Sequence, residues 1–134
     1  MAHFQYFVFA AIAVILITTC CVEVMRAEDP TMANREALAR DLANLALRAQ
    51  DYYHRPSSKG GGGGSFVLLT ADAAGLSRLT SKVTNSNGTY QISTAGTATS
   101  VVITGNGTMK GTDGNPLDFD MTVFADSMSL IINN

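Results

Sequence analysis

The chain has 134 residues, 46% of them hydrophobic and 15% charged, with a formal net charge of −2 at pH 7. That is one domain's worth of chain, too apolar for a disordered polymer and too poor in basic residues to neutralise a phosphate backbone by bulk charge, so no direct nucleic-acid binding is expected. The averages conceal three regions: no charge between Phe4 and Val22, 12 of the 20 charges between Glu23 and Lys59, and only five charged residues beside 14 Ser and Thr from Val83 to Asn134.

The first region, Phe4 to Val22, is 19 residues long. As a helix it would span about 28 Å, close to the hydrocarbon thickness of a bilayer. A cleaved secretory signal fits badly, because no Lys or Arg precedes the run and no small-x-small site follows it. The segment is therefore expected to remain on the chain as a membrane anchor or as a helix buried among copies of itself. Phe4, Tyr6, Phe7 and Phe9 are four of the ten aromatic residues, a clustering that suits close helix packing or a membrane interface. Gln5 is the strongly polar residue of the run, and its amide is costly in an apolar setting without a partner. His3 stands at the edge with no second ligand nearby, and no metal site is expected. Adjacent Cys20 and Cys21 rarely meet unstrained disulfide geometry and read first as small buried filling, with disulfides between copies or acylation as the alternatives.

Asp29-Pro30 is a helix-start or kink signal. Beyond it Leu38, Leu42, Leu45, Ala49 and Tyr52 recur at spacings of four and three, one apolar stripe on an amphipathic helix over 29–55. Arg35, Glu36, Arg40, Asp41, Arg48 and Asp51 lie opposite, with Glu36–Arg40 and Asp51–Arg55 at i,i+4 spacing. If Pro30 only kinks the chain, a rod from His3 to His54 would measure roughly 78 Å, far beyond the radius of a domain this size, so its N-terminal half is expected to protrude. A Gly-rich loop, 56–65, follows, with five consecutive glycines from Gly60 to Gly64. It reads as a flexible loop or a close backbone crossing. A phosphate cradle is disfavoured, since no strand feeds it and no Gly-Lys-Ser/Thr closes it.

In the last region Asp72 to Leu79 reads as one short helical turn. Turn signals then come at Asn87-Gly88, Gly96, Gly105-Asn106-Gly107 and Asp113-Gly114-Asn115-Pro116. Between them Tyr90 and Ile92, Val101 and Ile103, and the alternation of Leu117, Phe119, Met121 and Val123 with polar residues mark strands, continued by Met128, Leu130 and Ile132. An antiparallel sheet of four to five strands over about 88–133 is expected, one face on the amphipathic helix and a Thr-rich outer face. No catalytic constellation appears and no cofactor is implied, because His3 and His54 are far apart and no Ser-His-Asp or Cys-His spacing is credible. Asp118, Asp120 and nearby Asp113 offer weak calcium binding as the alternative to a solvated strand face. Asn87-Gly88-Thr89 and Asn106-Gly107-Thr108 match the N-glycosylation acceptor pattern, making Asn87 and Asn106 candidate acceptors.

An apolar N-terminal helix that continues into an amphipathic helix beneath an antiparallel sheet resembles the bacterial type IV pilins. Asn34-Arg35-Glu36-Ala37-Leu38, Asp41-Leu42-Ala43-Asn44-Leu45, Ala49-Gln50-Asp51-Tyr52-Tyr53, Arg55-Pro56 and Gly60-Gly61-Gly62-Gly63-Gly64-Ser65-Phe66 are similar to a subgroup of pilin-like proteins. The resemblance implies an α+β, pilin-like fold with a long protruding N-terminal helix: 1–28 as membrane anchor and then filament core, and 29–134 as head. It implies a short leader removed before Met1, an N-methyl group on Met1, and assembly contacts through Met1, Phe4, Gln5, Phe7 and Phe9. The implied partners are identical subunits in a homopolymer, inner-membrane lipid before assembly and the pilus assembly machinery; the implied destination is an extracellular filament on the bacterial surface. The family usually has Glu where this chain has Gln5, so the charge-assisted contact to a neighbour's N-terminal amine is absent. The competing readings are a single-pass anchored binding or adhesion module, and a pseudopilin of a secretion system.

Overall fold

The structure, a computed structural model, describes residues 29–134. The apolar run, and with it Met1, Phe4, Gln5, Phe7 and Phe9, lies outside the described residues. What is described is one long helix followed by a four-stranded antiparallel sheet, an α+β arrangement.

Helix α1 spans Pro30–His54. Asp29 adopts a non-helical backbone, ψ 116°, and its carboxylate accepts the Thr31 N–H at 2.9 Å. Asp29-Pro30 is therefore the start of α1. The Asp cap satisfies a main-chain donor at the helix end, and Pro occupies a first-turn position where its missing N–H costs nothing. Leu38, Leu42, Leu45, Ala49 and Tyr52 are all buried, as the stripe predicts, together with Asn34 and Ala46. Of the two i,i+4 pairs, Arg55–Asp51 closes at 2.6 Å, while Glu36–Arg40 is not among the ion pairs of the described residues.

The glycines end α1. Gly62 N–H donates to Tyr52 O at 2.7 Å, Gly64 N–H to Tyr53 O at 2.8 Å and Gly63 N–H to Arg55 O at 3.0 Å. The segment folds back over the last turn, after a 3₁₀ turn at Ser57–Lys59, and supplies the donors that the final helical carbonyls lack. Close approach is what excludes side chains here. A Cβ on Gly61 would lie 2.1 Å from Arg55 O, and one on Gly62 would lie 2.0 Å from Ser65 O. Gly62 and Gly64 cap α1, and the glycine segment is a close backbone crossing over its last turn.

The chain then buries Phe66 and Leu69 beneath the sheet and makes a short helix α2, Ala73–Ser77, capped by Asp72, which accepts the Gly75 N–H at 2.8 Å. Strands β1 (Gly88–Thr94), β2 (Ser100–Lys110), β3 (Pro116–Phe124) and β4 (Met128–Ile132) follow as a meander in the order β1-β2-β3-β4. Tyr90, Ile92, Val101, Ile103, Leu117, Phe119, Met121 and Val123 face α1, which packs chiefly on β2 and β3, and close the core around Leu38 and Leu42.

Two expectations need correction. Gly105-Asn106-Gly107 is not a turn; it lies inside β2, paired with Tyr90-Thr89-Gly88 across the ladder. Its glycines thin the sheet under α1: a Cβ on Gly105 would meet Leu38 and Leu42 at 3.2 Å, and one on Gly107 would meet Asn34 Oδ1 at 2.7 Å. Turn propensity and close helix–sheet approach select the same residue, and sequence alone does not separate them. Secondly, Met128, Leu130 and Ile132 share the helix-facing side of the sheet but are not covered by the helix, remaining 37%, 37% and 52% exposed.

Candidate functional site

Within the described residues the best-organised polar constellation is centred on Asp41. The helical stripe places Asp41 on the polar face of α1, where an exposed charge is expected. Instead its Oδ2 accepts three hydrogen bonds, from Tyr90 Oη at 2.6 Å and from Asn85 Nδ2 and Asn87 Nδ2, both at 2.8 Å. Burial pushes the Asp41 carboxyl up, but those hydrogen bonds and the Arg40 charge outweigh it and hold the group below its ordinary value. Burial, and then the Asp41 carboxylate, push the Tyr90 phenol up. Asn85 completes the node by accepting the main-chain N–H groups of Asn87 at 2.9 Å and Gly88 at 3.1 Å, which shapes the entry into β1. Asn34 ties the same segment to the start of α1, donating to Asn87 O at 2.8 Å and accepting the Met109 N–H at 3.1 Å.

The node is a fastening between helix and sheet. The cleft beside it, lined by Asn44, Arg48, Thr80 and Lys82, holds about 170 Å³, below the roughly 300 Å³ at which small-molecule sites begin. Sequence reading missed Asp41 and Asn34 because both partners of each contact are remote in the chain. The position of Asn34 inside α1, beyond the cap, was the available signal: an Asn there competes with its own helix unless its amide has work elsewhere.

The other predicted residues are placed as follows. Asn87, half-buried, spends its amide nitrogen on Asp41, so a glycan there would have to break the node. Asn106 is half-buried within β2 and faces away from the helix. Asp118 and Asp120 do share one face of β3, and Asn133 Nδ2 bridges them at 3.3 and 3.1 Å; Thr104 also donates to Asp120. Asp113 is joined to this end of the sheet through Asn134 at 3.4 Å, and hydrogen bonds from Asn115 hold its carboxyl below the ordinary range. Side-chain amides thus occupy the acidic face, and among the described residues no group of three or more His, Cys, Asp or Glu has metal-binding geometry. His54 Nε2 lies 3.3 Å from Asp126 and 3.1 Å from Ala125 O at the exposed end of α1. The five glycine N–H groups that a phosphate would need are all spent on main-chain carbonyls of residues 52–57.

No helix among the described residues is long and apolar enough to cross a membrane. Comparison of the chain with protein-family models, curated proteins and solved structures finds no match.

Proposed function

We propose that this chain is the structural subunit, the major pilin, of an extracellular type IV pilus-like filament, and that its fold is pilin-like. The observation that carries the reading is the order of chemistries along the chain: 19 uncharged residues from Phe4 to Val22, followed by a small head built on one long helix. Such a run demands either a bilayer or the apolar surfaces of neighbouring subunits. A filament subunit uses both in turn. Residues 4–22 hold the chain in the inner membrane and then exchange lipid contacts for protein contacts in a filament core, where Ala10, Ala11 and Ala13 allow close approach. A heterologous, non-closing contact of this kind propagates a helical polymer instead of closing a ring. Neutral Gln5 is cheaper to bury in that core than Glu and still accepts a hydrogen bond from a neighbouring amine. The sheet, with its Ser- and Thr-rich outer face, becomes the coat.

Electron cryomicroscopy of cell-surface material containing the chain tests this. Uniform thin fibres with residues 4–22 resolved as a central helix bundle are expected, with a contact for Gln5 visible among them. Dispersed particles or membrane patches alone would overturn the polymer and favour the anchored module.

A further inference from the structure

Between Leu79 and Gly88 the chain runs from α2 toward β1 without burying a residue: Ser81 to Ser86 are exposed, and Thr80 and Asn87 are half-buried. Val83 is the apolar side chain of this stretch, and it is exposed too. Hydrophobic burial therefore contributes little to holding residues 80–87 in place. Polar contacts do the holding. Along the outer edge of β1 the Tyr90 N–H donates to Val83 O at 2.8 Å, Thr84 bridges Thr89, and the hydroxyls of those two threonines stand 3.3 Å apart. At the far end the Thr108 N–H of β2 donates to Asn87 O at 3.1 Å. The side-chain ties from Asn85 and Asn87 to α1 both end on Asp41 Oδ2, the atom that also receives the Tyr90 phenol. Segment, helix and strand edge thus share one acceptor, and that acceptor is ionisable. A short stretch with few apolar contacts and exposed main-chain bonds belongs to the low end of local stability, and opens before the core does.

We propose that residues 80–87 are an acid-released strap over the edge of β1, latched by the ionised Asp41 carboxylate and opening as a unit while α1 and the sheet stay folded. Hydrogen bonds to an ionised acceptor are roughly twice as strong as neutral ones. Protonation of Asp41 removes that assistance from all three contacts at once, and it adds a hydrogen to a group that serves here only as an acceptor. The charged and titratable groups around it are Arg40 on its own helix, Tyr90 on β1, and Arg48 and Lys82, which line the adjacent cleft from α1 and from the strap. Arginine, lysine and phenol groups keep one charge state through acid pH, so Asp41 is the group that changes. Hydrogen bonds hold its carboxyl below the ordinary value of 3.8. Closure is therefore complete above that value and is lost as pH falls through the depressed native one. Opening lifts the covering segment from β1 at Thr89 and Tyr90, and frees a main-chain donor on that edge. The strap stands independently of the filament reading.

Amide hydrogen exchange of the full chain in a mild detergent, resolved by residue and corrected for intrinsic chemistry at each pH, tests the strap. The reporting amides are Gly88, Tyr90 and Thr108, which donate to Asn85 Oδ1, Val83 O and Asn87 O. Asp41→Asn keeps the shape and removes the charge; at neutral pH it should lower the protection of these amides at least about tenfold, with a much smaller change in the β2–β3 ladder. In the wild type the same amides should keep their protection from neutral pH to about pH 5 and lose it below about pH 4, a dependence absent from Asp41→Asn. Asn87→Ala leaves the carboxylate in place and removes one donor, so it should show a smaller fall in the same amides and retain the pH dependence. Trypsin at neutral pH gives a second reading: cleavage after Lys82 should accelerate in Asp41→Asn by about the factor of protection lost. Equal loss of protection in the strap and in the β2–β3 ladder would mean that Asp41 acts on the whole fold, and would overturn the proposal. So would strap amides that stay protected in Asp41→Asn, or in the wild type at about pH 3. Should Asp41→Asn fail to fold, Asn87→Ala and the wild-type pH profile decide.

Discussion

Replacing Asp41 with Ala removes the acceptor that three side chains share. Tyr90 Oη loses its 2.6 Å partner, and Asn85 and Asn87 lose the anchor that holds the entry to β1 against α1. A hydrogen bond to a charged group contributes about 1.5–3 kcal/mol when both partners are buried. The node is only partly buried, so solvent screening and rehydration reduce each contact, and the three together are worth about 2–3 kcal/mol. In urea unfolding of the full chain in a mild detergent, followed by near-ultraviolet circular dichroism of the tyrosines, Asp41→Ala should lower the midpoint by about 2 M at neutral pH. Tyr90→Phe should cost about 1 kcal/mol, and the double substitution less than the sum, because both remove the same contact. The pH dependence has a definite sign. The native carboxyl titrates below its ordinary value of 3.8, so its contribution is complete above that value and is lost as pH falls through the depressed native value. The gap between wild type and Asp41→Asn should therefore narrow as pH falls below about 4. A loss under about 0.5 kcal/mol at neutral pH, the range of an ordinary surface substitution, or a gap that stays constant down to pH 2, would refute the node as a fastening.

Three further outcomes follow from the packing. Gly62→Ala places a Cβ 2.0 Å from Ser65 O and 2.9 Å from the Tyr52 ring, and should destabilise by about 2 kcal/mol or more through displacement of the helix cap. Gly60→Ala meets open space and only the cost of φ +77°, about 1 kcal/mol, so the order of the two unfolding midpoints checks the close-approach argument. Leu42→Ala empties a fully buried position beneath Gly105 and should cost about 3–5 kcal/mol in the same unfolding assay. In alkali, Tyr90 is raised in the folded state; its contribution is whole below the ordinary phenol value near 10 and declines above it. Tyr90→Phe should therefore lose less stability than wild type between about pH 10 and 12 in a thermal-melt series.

Periodicity carries what is local. The stripe of Leu38, Leu42, Leu45, Ala49 and Tyr52 states which face of α1 is buried, because a 3.6-residue repeat maps directly onto one side of a helix. The alternation of Leu117, Phe119, Met121 and Val123 does the same for β3 at a period of two. Asp29-Pro30 and Asp72 mark helix starts through capping chemistry that reaches only two or three residues. The uncharged run that carries the functional reading is likewise a property of composition alone.

What only the tertiary structure decided is every choice between two uses of one residue type. The glycines at 105 and 107 read as a turn until α1 is laid over β2, and those at 60–64 read as slack until the N–H groups of Gly62 and Gly64 meet the carbonyls of Tyr52 and Tyr53. Asp41 reads as a solvated charge until residues 85–90, some 44 to 49 positions away, return to it. The apolar side of β4 reads as core until the helix is seen to stop short of it. Spacing along a chain encodes which face a side chain takes; which element arrives at that face is set by the closing of long loops, and that information is spread over both partners.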